Sequence, residues 1–237
     1  PSARIRTDFD MQAFPRPLLA IARNHHGFIT LEELGLHGVV CRRRSRLLDA
    51  GQLVPIHRGV YRLASHGDTF EQRCLAACLA TPDAVLSGPT AGRLWGLRKV
   101  HTEDIHLLAR RTIHLERVTA HRTDLLGEFD VTERDGLRLL RPARLFCDLA
   151  WHLDESALES VLEQMIDRRL LSIPGARAAA RRFVASGRPG SVRLARVLES
   201  RPSWMRPVDS DVELRLWRAL DRRGVRLERQ VPIVLDS

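Results

Sequence analysis

The chain has 237 residues, 44% hydrophobic and 28% charged, the balance of a globular protein holding one large domain or two to three small ones. No apolar run approaches the roughly 20 residues that span a bilayer, and the leading PSARIRTDFDMQAF has no apolar signal core, which excludes a helical membrane protein and favours a cytoplasmic one. The formal net charge of +9 favours a polyanionic partner; since Lys99 is the only lysine, and GC-rich coding also enriches arginine, the position of charge says more than its total.

Residues 1–13 are expected to form a flexible arm carrying Arg4 and Arg6. A first helix is predicted from about Pro17, a favoured first-turn residue, to about His25, with Leu18, Leu19, Ile21 and Ala22 as its apolar face and Gly27 beyond its end. Phe28-Ile29 makes a short extended link. Thr30 followed three residues later by Glu33 is a capping box, and it fixes the start of a second helix over Leu31–Leu34, closed by Gly35. A third helix is predicted over Val39–Ala50, stopped by Gly51, with Leu36, Val40, Leu47 and Leu48 on its inner side. That phase turns Arg42, Arg43 and Arg46 outward and leaves Arg44 ambiguous. Leu53–Ile56 and Val60–Leu63 are strand-like and joined through His57-Arg58-Gly59. Three short helices followed by a hairpin are the order of a winged helix-turn-helix, here residues 14–64.

Polar Ser65–Asp68 marks a boundary. Beyond it, helices are predicted over Phe70–Leu79 and Thr90–Leu97, and strands over Ala84–Ser87, Ile105–Ala109, Arg117–His121 and Leu137–Leu139. Amphipathic helices come next, over Ala143–Trp151, Ser156–Arg169, Gly175–Ala185 and Ser191–Ser200. Trp95 and Trp151 are expected in the core. A Pro-rich link from Arg201 to Pro207 precedes a last helix, Asp211–Arg222, and a strand-like Val225–Leu235. The expected fold class is α+β: an N-terminal winged helix-turn-helix, then a mixed α/β domain over 68–200 with a helical C-terminal part, then 208–237 as the start of another domain.

The chemistry-bearing residues point to DNA. A helix in the major groove reads bases through a few exposed side chains, and arginine is the commonest bidentate partner of guanine. Arg42, Arg43, Arg44 and Arg46 are the expected readers, with Ser45 on a phosphate. His57, Arg58 and Arg62 of the wing are expected at the backbone or minor groove, and Thr30, at a helix N-terminus, at a phosphate. The alternative is that these arginines merely solvate a helix face. Arg110-Arg111, Arg168-Arg169 and Arg181-Arg182 read as solvated surface or as an extended basic track. Cys41, Cys74, Cys78 and Cys147 form no C-x-x-C pair and each sits in an apolar helical pattern, so buried, reduced thiols are expected. The histidines are scattered, with no zinc-ligand spacing, and no nucleophile elbow or phosphate-binding glycine loop is present.

FITLEELGLHGVVCRRRSRLLDAGQLVPIHRGVYRL resembles the winged-helix domain of the AbiEi antitoxins, the DNA-binding, autoregulating members of type IV toxin–antitoxin systems. AVLSGPTAGRLWGL through LRLLRPARLFCDLAWHL resembles the region after this domain in many actinobacterial proteins. DSDVELRLWRALDRRGVRLERQVPIVL is similar to the opening helix and strand of a very-short-patch-repair-like nuclease domain, a PD-(D/E)XK relative, whose acidic helix residue falls on Glu213. The resemblance implies a DNA-binding regulator with double-stranded DNA and a cognate toxin as partners, needing no cofactor. The alternative it implies is a DNA endonuclease of which this is the targeting part. Magnesium would then be needed, and Glu213 is the weak catalytic candidate, because one glutamate cannot hold a catalytic cation alone. Asp209, Asp211 and Glu213 are otherwise explained by the helix dipole. Oligomeric state is left open.

Overall fold

The computed structural model describes residues 14–185, 187–201 and 211–225. It is α+β, and it divides by packing into two compact units, Pro1–Thr90 with Thr102–Leu139 and Ala91–His101 with Leu140–Ser237. The partition crosses the expected 68–200 segment: its first helix and its sheet belong to the same unit as the winged helix, and its later helices form the second unit. The arm 1–13, residues 202–207 of the expected link and the strand expected over 225–235 lie outside the described residues, save Val225.

In the first unit, α1 (Arg16–Asn24), β1 (Phe28–Thr30), α2 (Leu31–Leu36), α3 (Cys41–Asp49), β2 (Leu53–His57) and β3 (Val60–Leu63) stand in the winged-helix order. The strands form an antiparallel sheet in the order β1-β3-β2. Its core gathers Phe14, Leu18, Ala22, Ile29, Leu34, Val39, Leu47, Leu53 and Leu63. The capping box forms as expected: Thr30 Oγ1 accepts from the Glu33 backbone N–H at 3.2 Å, and the Thr30 N–H donates to Glu33 Oε2 at 2.7 Å. Gly27 sits at φ +99°, and a Cβ there would fall 2.3 Å from His66 Cγ, so only glycine fits between α1 and β1.

The inner side of α3 differs from the sequence expectation. Leu36 is 77% and Val40 62% exposed, whereas Val39 is fully buried. Val40 is the N-cap, at φ −80° and ψ 175°, so helical periodicity begins two residues later than expected, at Cys41. Along an extended stretch neighbouring side chains point to opposite sides, so Val39 goes in and Val40 goes out. Cys41, the first residue of α3, is also exposed, and Cys78 is half-buried; only Cys74 and Cys147 are the buried thiols expected of all four. Burial pushes the Cys78 thiol up to about 11.

The same unit holds α4 (Phe70–Ala80) and a five-stranded mixed sheet in the order β6-β5-β4-β8-β7. Its strands are β4 (Val85–Leu86), β5 (Ile105–Ala109), β6 (Val118–Arg122), β7 (Val131–Arg134) and β8 (Leu137–Leu140). The four-residue edge strand β7 was not expected from its polar sequence. Helix α4 opens with a second capping box, Thr69 with Gln72, and buries Phe70, Cys74, Leu75, Ala76 and Ala77. It packs against all three strands of the winged-helix sheet, and Gln72 Nε2 donates to the His26 carbonyl at 3.1 Å. Helix α4 thus fastens the winged helix into its unit.

The second unit takes in the end of α5 (Gly88–Leu94) with α6 (Pro142–His152), α7 (Glu155–Asp167), α8 (Ile173–Phe183), α9 (Ser191–Glu199) and α10 (Asp211–Asp221). Leu145, Phe146, Leu149, Leu158, Val161, Leu162, Met165 and Val197 are among its most deeply buried side chains. Gly190, at φ +80°, caps α9 where a Cβ would lie 2.6 Å from the Ala150 carbonyl of α6. Trp151 is 46% exposed rather than in the core, whereas Trp95 is half-buried and donates its Nε1–H to the Leu140 carbonyl at 3.0 Å.

Arginines finish this unit's helices. The last carbonyls of a helix have no intrahelical donor and carry the negative end of its dipole. Arg168 Nη1 donates to the Trp95 and Gly96 carbonyls after α5 at 2.8 and 3.1 Å, and Arg193 Nη1 to Ala150 in α6 at 2.6 Å. Arg188 Nη1 donates to Phe183 at the end of α8 at 2.8 Å, and Arg177 Nη2 to Leu198 near the end of α9 at 3.2 Å. Arg168, on the surface as expected, thus also serves as a helix cap. Two more arginines are interior. Arg201 pairs with Glu163, its Nη2 lying 3.1 Å from Oε2, with side chains 5% and 6% exposed. Arg144 pairs with Asp148 at 3.4 Å and stacks 4.1 Å from the Phe183 ring centre.

Candidate nucleic-acid interface

Residues 14–64 hold eight arginines against three carboxylates, and half of those arginines are on α3. At about 100° per residue, with Leu47 defining the inner side of α3, Arg42, Ser45 and Asp49 lie opposite it and Arg46 lies on the flank beside them. Burial broadly follows this division, with Arg43 the exception. Leu47 is buried, Leu48 and Arg44 are half-buried, and Arg42, Ser45, Arg46 and Asp49 are exposed. Arg43, one turn before Leu47 and so about 40° from the inner side, is nonetheless exposed. Arg44 turns toward the sheet, its guanidinium carbon 5.9 Å from the Tyr61 ring centre. The side chains of Arg42 and Arg46 make no ion pair or hydrogen bond with the described residues. Two guanidinium groups with unspent donors thus stand one turn apart on the second helix of the helix-turn-helix.

The wing residues part company. Arg58 is exposed in the β2–β3 turn, where Gly59 supplies the φ of +81°. Arg62 is not the wing contact expected: its Nη1 donates to the Gly67 carbonyl at 2.8 Å and lies 3.5 Å from Asp68, with the side chain 17% exposed. That guanidinium holds the loop after β3.

His57 is half-buried and lines a cavity of about 170 Å³ with Pro55, Asp68, Arg73, Ile105 and Val118. Burial lowers its pKa, against a smaller upward pull from Glu116. Ile105 and Val118 of the second sheet line the same cavity, so His57 is partly engaged within the unit.

Thr30 is committed as well. Its hydroxyl donates to Glu33 Oε2 at 2.9 Å besides accepting from the Glu33 amide. Glu32 and Glu33 occupy the first turn of α2, so the helix terminus expected to take a phosphate already carries two carboxylates. Their charge opposes a phosphate there.

Glu213 falls on α10, but its side chain is outside the described residues. Asp49 is the member of the outer row that inspection of charge missed; its spacing, three residues after Arg46 and seven after Arg42, was the available signal.

No helix among the described residues is long and apolar enough to cross a membrane. No curated protein matches the chain. Among solved structures, a crystal structure of the RV2827C protein from Mycobacterium tuberculosis is similar, with 17% identity, 80% of this chain and 82% of that chain covered, and a TM-score of 0.48. Residues 16–64, the six elements from α1 to β3, match the family model described as "Transcriptional regulator, AbiEi antitoxin".

Proposed function

We propose that this chain is a regulator that binds double-stranded DNA through residues 14–64, with α3 laid in the major groove. Arg42, Arg43 and Arg46 read base edges, Ser45 meets a phosphate, and Arg58 reaches the backbone or minor groove from the wing. The observation that carries this reading is the outward, internally unpaired pair Arg42 and Arg46, on the second helix of a helix-turn-helix. The match of residues 16–64 to an antitoxin regulator model supports it. The same match makes a cognate toxin the protein partner to test. Free cysteines suit a cytoplasmic setting. The endonuclease alternative gains no support from the described residues.

The test is fluorescence anisotropy with duplexes from upstream of the protein's own gene and with scrambled duplexes, in a salt series. The proposal expects a preference for one upstream duplex. It also expects affinity to fall steeply with salt, as binding that releases several phosphate counterions must. Equal affinity for all duplexes would remove the regulator reading. Co-expression with the neighbouring gene product and co-purification tests the toxin partner separately.

A further inference from the structure

The outer row of α3 includes a residue whose charge is wrong for a DNA-facing surface. Asp49 is exposed, is the last residue of α3, and shares the row with Arg42, Ser45 and Arg46. It makes no ion pair or hydrogen bond with the described residues. Two forces act against a carboxylate at that point. The C-terminal end of a helix is the negative end of its dipole, and the phosphate backbone of a duplex repels anions. Nothing in the packing of α3 requires an acid there, since the inner side is formed by Leu47 and Leu48.

One part of a duplex does receive a carboxylate well. The cytosine N4 amino group is a hydrogen-bond donor in the major groove, and aspartate or glutamate accepts from it. At adenine the N6 donor stands beside the N7 acceptor, which repels a carboxylate, and guanine presents two acceptors. The α-helical rise of about 1.5 Å per residue puts Asp49 about 4.5 Å along the axis from Arg46, close to one base-pair step of about 3.4 Å.

Resting on the reading that α3 lies in the major groove, we propose that Asp49 is a specificity-determining residue that selects cytosine at the base pair next to the guanine read by Arg46. It raises specificity in two ways. It accepts from the right base, and it weakens every register in which it meets a phosphate or an acceptor edge.

The experiment is selection from randomised duplexes by the full chain and its Asp49→Asn, Asp49→Ala and Arg46→Ala variants, with melting temperatures to confirm folding. Wild type is expected to enrich cytosine beside a fixed guanine. Asp49→Ala should lose roughly tenfold of that preference while binding random DNA more tightly. Asp49→Asn should shift the preference toward adenine, whose N6 and N7 suit an amide. A solvated aspartate with no role in reading would give neither the loss nor the shift. The same base enriched by wild type and both Asp49 variants would overturn the inference. If Arg46→Ala then alters the neighbouring position, the groove reading of α3 survives. If Arg46→Ala changes nothing either, that reading fails too.

Discussion

The arginines of α3 and those of the second unit are the same residue put to opposite uses. Arg144 and Arg201 are buried against Asp148 and Glu163, and Arg168, Arg177, Arg188 and Arg193 donate to carbonyls at or near helix ends. Arg42 and Arg46 stand in solvent with their donors unspent. A guanidinium offers five donors and no acceptor, so its surroundings decide its role. Where carboxylates and helix-end carbonyls are near, arginine holds a fold together. Where neither is near, it is available to a polyanion. The number of arginines therefore overstates the surface available to DNA, because several have their donors engaged inside the helical unit.

The largest effect that would sharpen this contrast is expected at Glu163. Glu163→Ala leaves the Arg201 guanidinium buried without its carboxylate and should cost about 3–5 kcal/mol of stability, measured by urea unfolding. A loss under about 1 kcal/mol would mean the pair is not sealed from water. Next is Arg46→Lys, which keeps the charge but removes the planar fork. Specific DNA binding should weaken by about 1–3 kcal/mol, with affinity for random DNA and the salt slope retained. An equal fall on both kinds of DNA would assign Arg46 to phosphate.

Thr30→Ala comes third. It removes the capping box and should cost about 1 kcal/mol in thermal or urea unfolding, while the folded protein binds DNA as before. Weakened DNA binding by fully folded protein would restore Thr30 to the interface. The smallest effect is at His57. Burial lowers its folded pKa below the ordinary 6.5, so the unfolded chain takes up the proton first as pH falls. Stability from the neutral ring is present above pH 6.5 and declines below it, and His57→Gln should flatten that part of the stability–pH curve. An unchanged acid limb in the variant would show that the ring is solvated.

Local chemistry made much of the first unit legible from sequence. Thr30 and Glu33 announce a helix start, and glycines at 27, 51 and 59 mark positive-φ turns. Non-local partners hid the rest. Arg62 and His57 look like Arg58 in sequence, but the chain returns at Gly67, Asp68 and the second sheet to engage them. Val39 and Val40 exchange places because an extended N-cap resets the helical phase, which periodicity over the helix alone does not reveal. β7 was missed because Val131-Thr132-Glu133-Arg134 is an edge strand, half-buried at best and without a hydrophobic alternation to betray it. The helix-capping arginines were invisible because their acceptors lie far off in sequence, 73 residues away for Arg168.

The most direct test of outward against inward arginine is the Arg42→Ala/Arg46→Ala double variant, its dissociation constant for the preferred upstream duplex measured beside its melting temperature. The account predicts an affinity loss of at least about tenfold with melting unchanged, because these side chains touch the DNA and not the fold. Wild-type affinity in the double variant, or a fall in melting temperature as large as the one expected for Glu163→Ala, would contradict it.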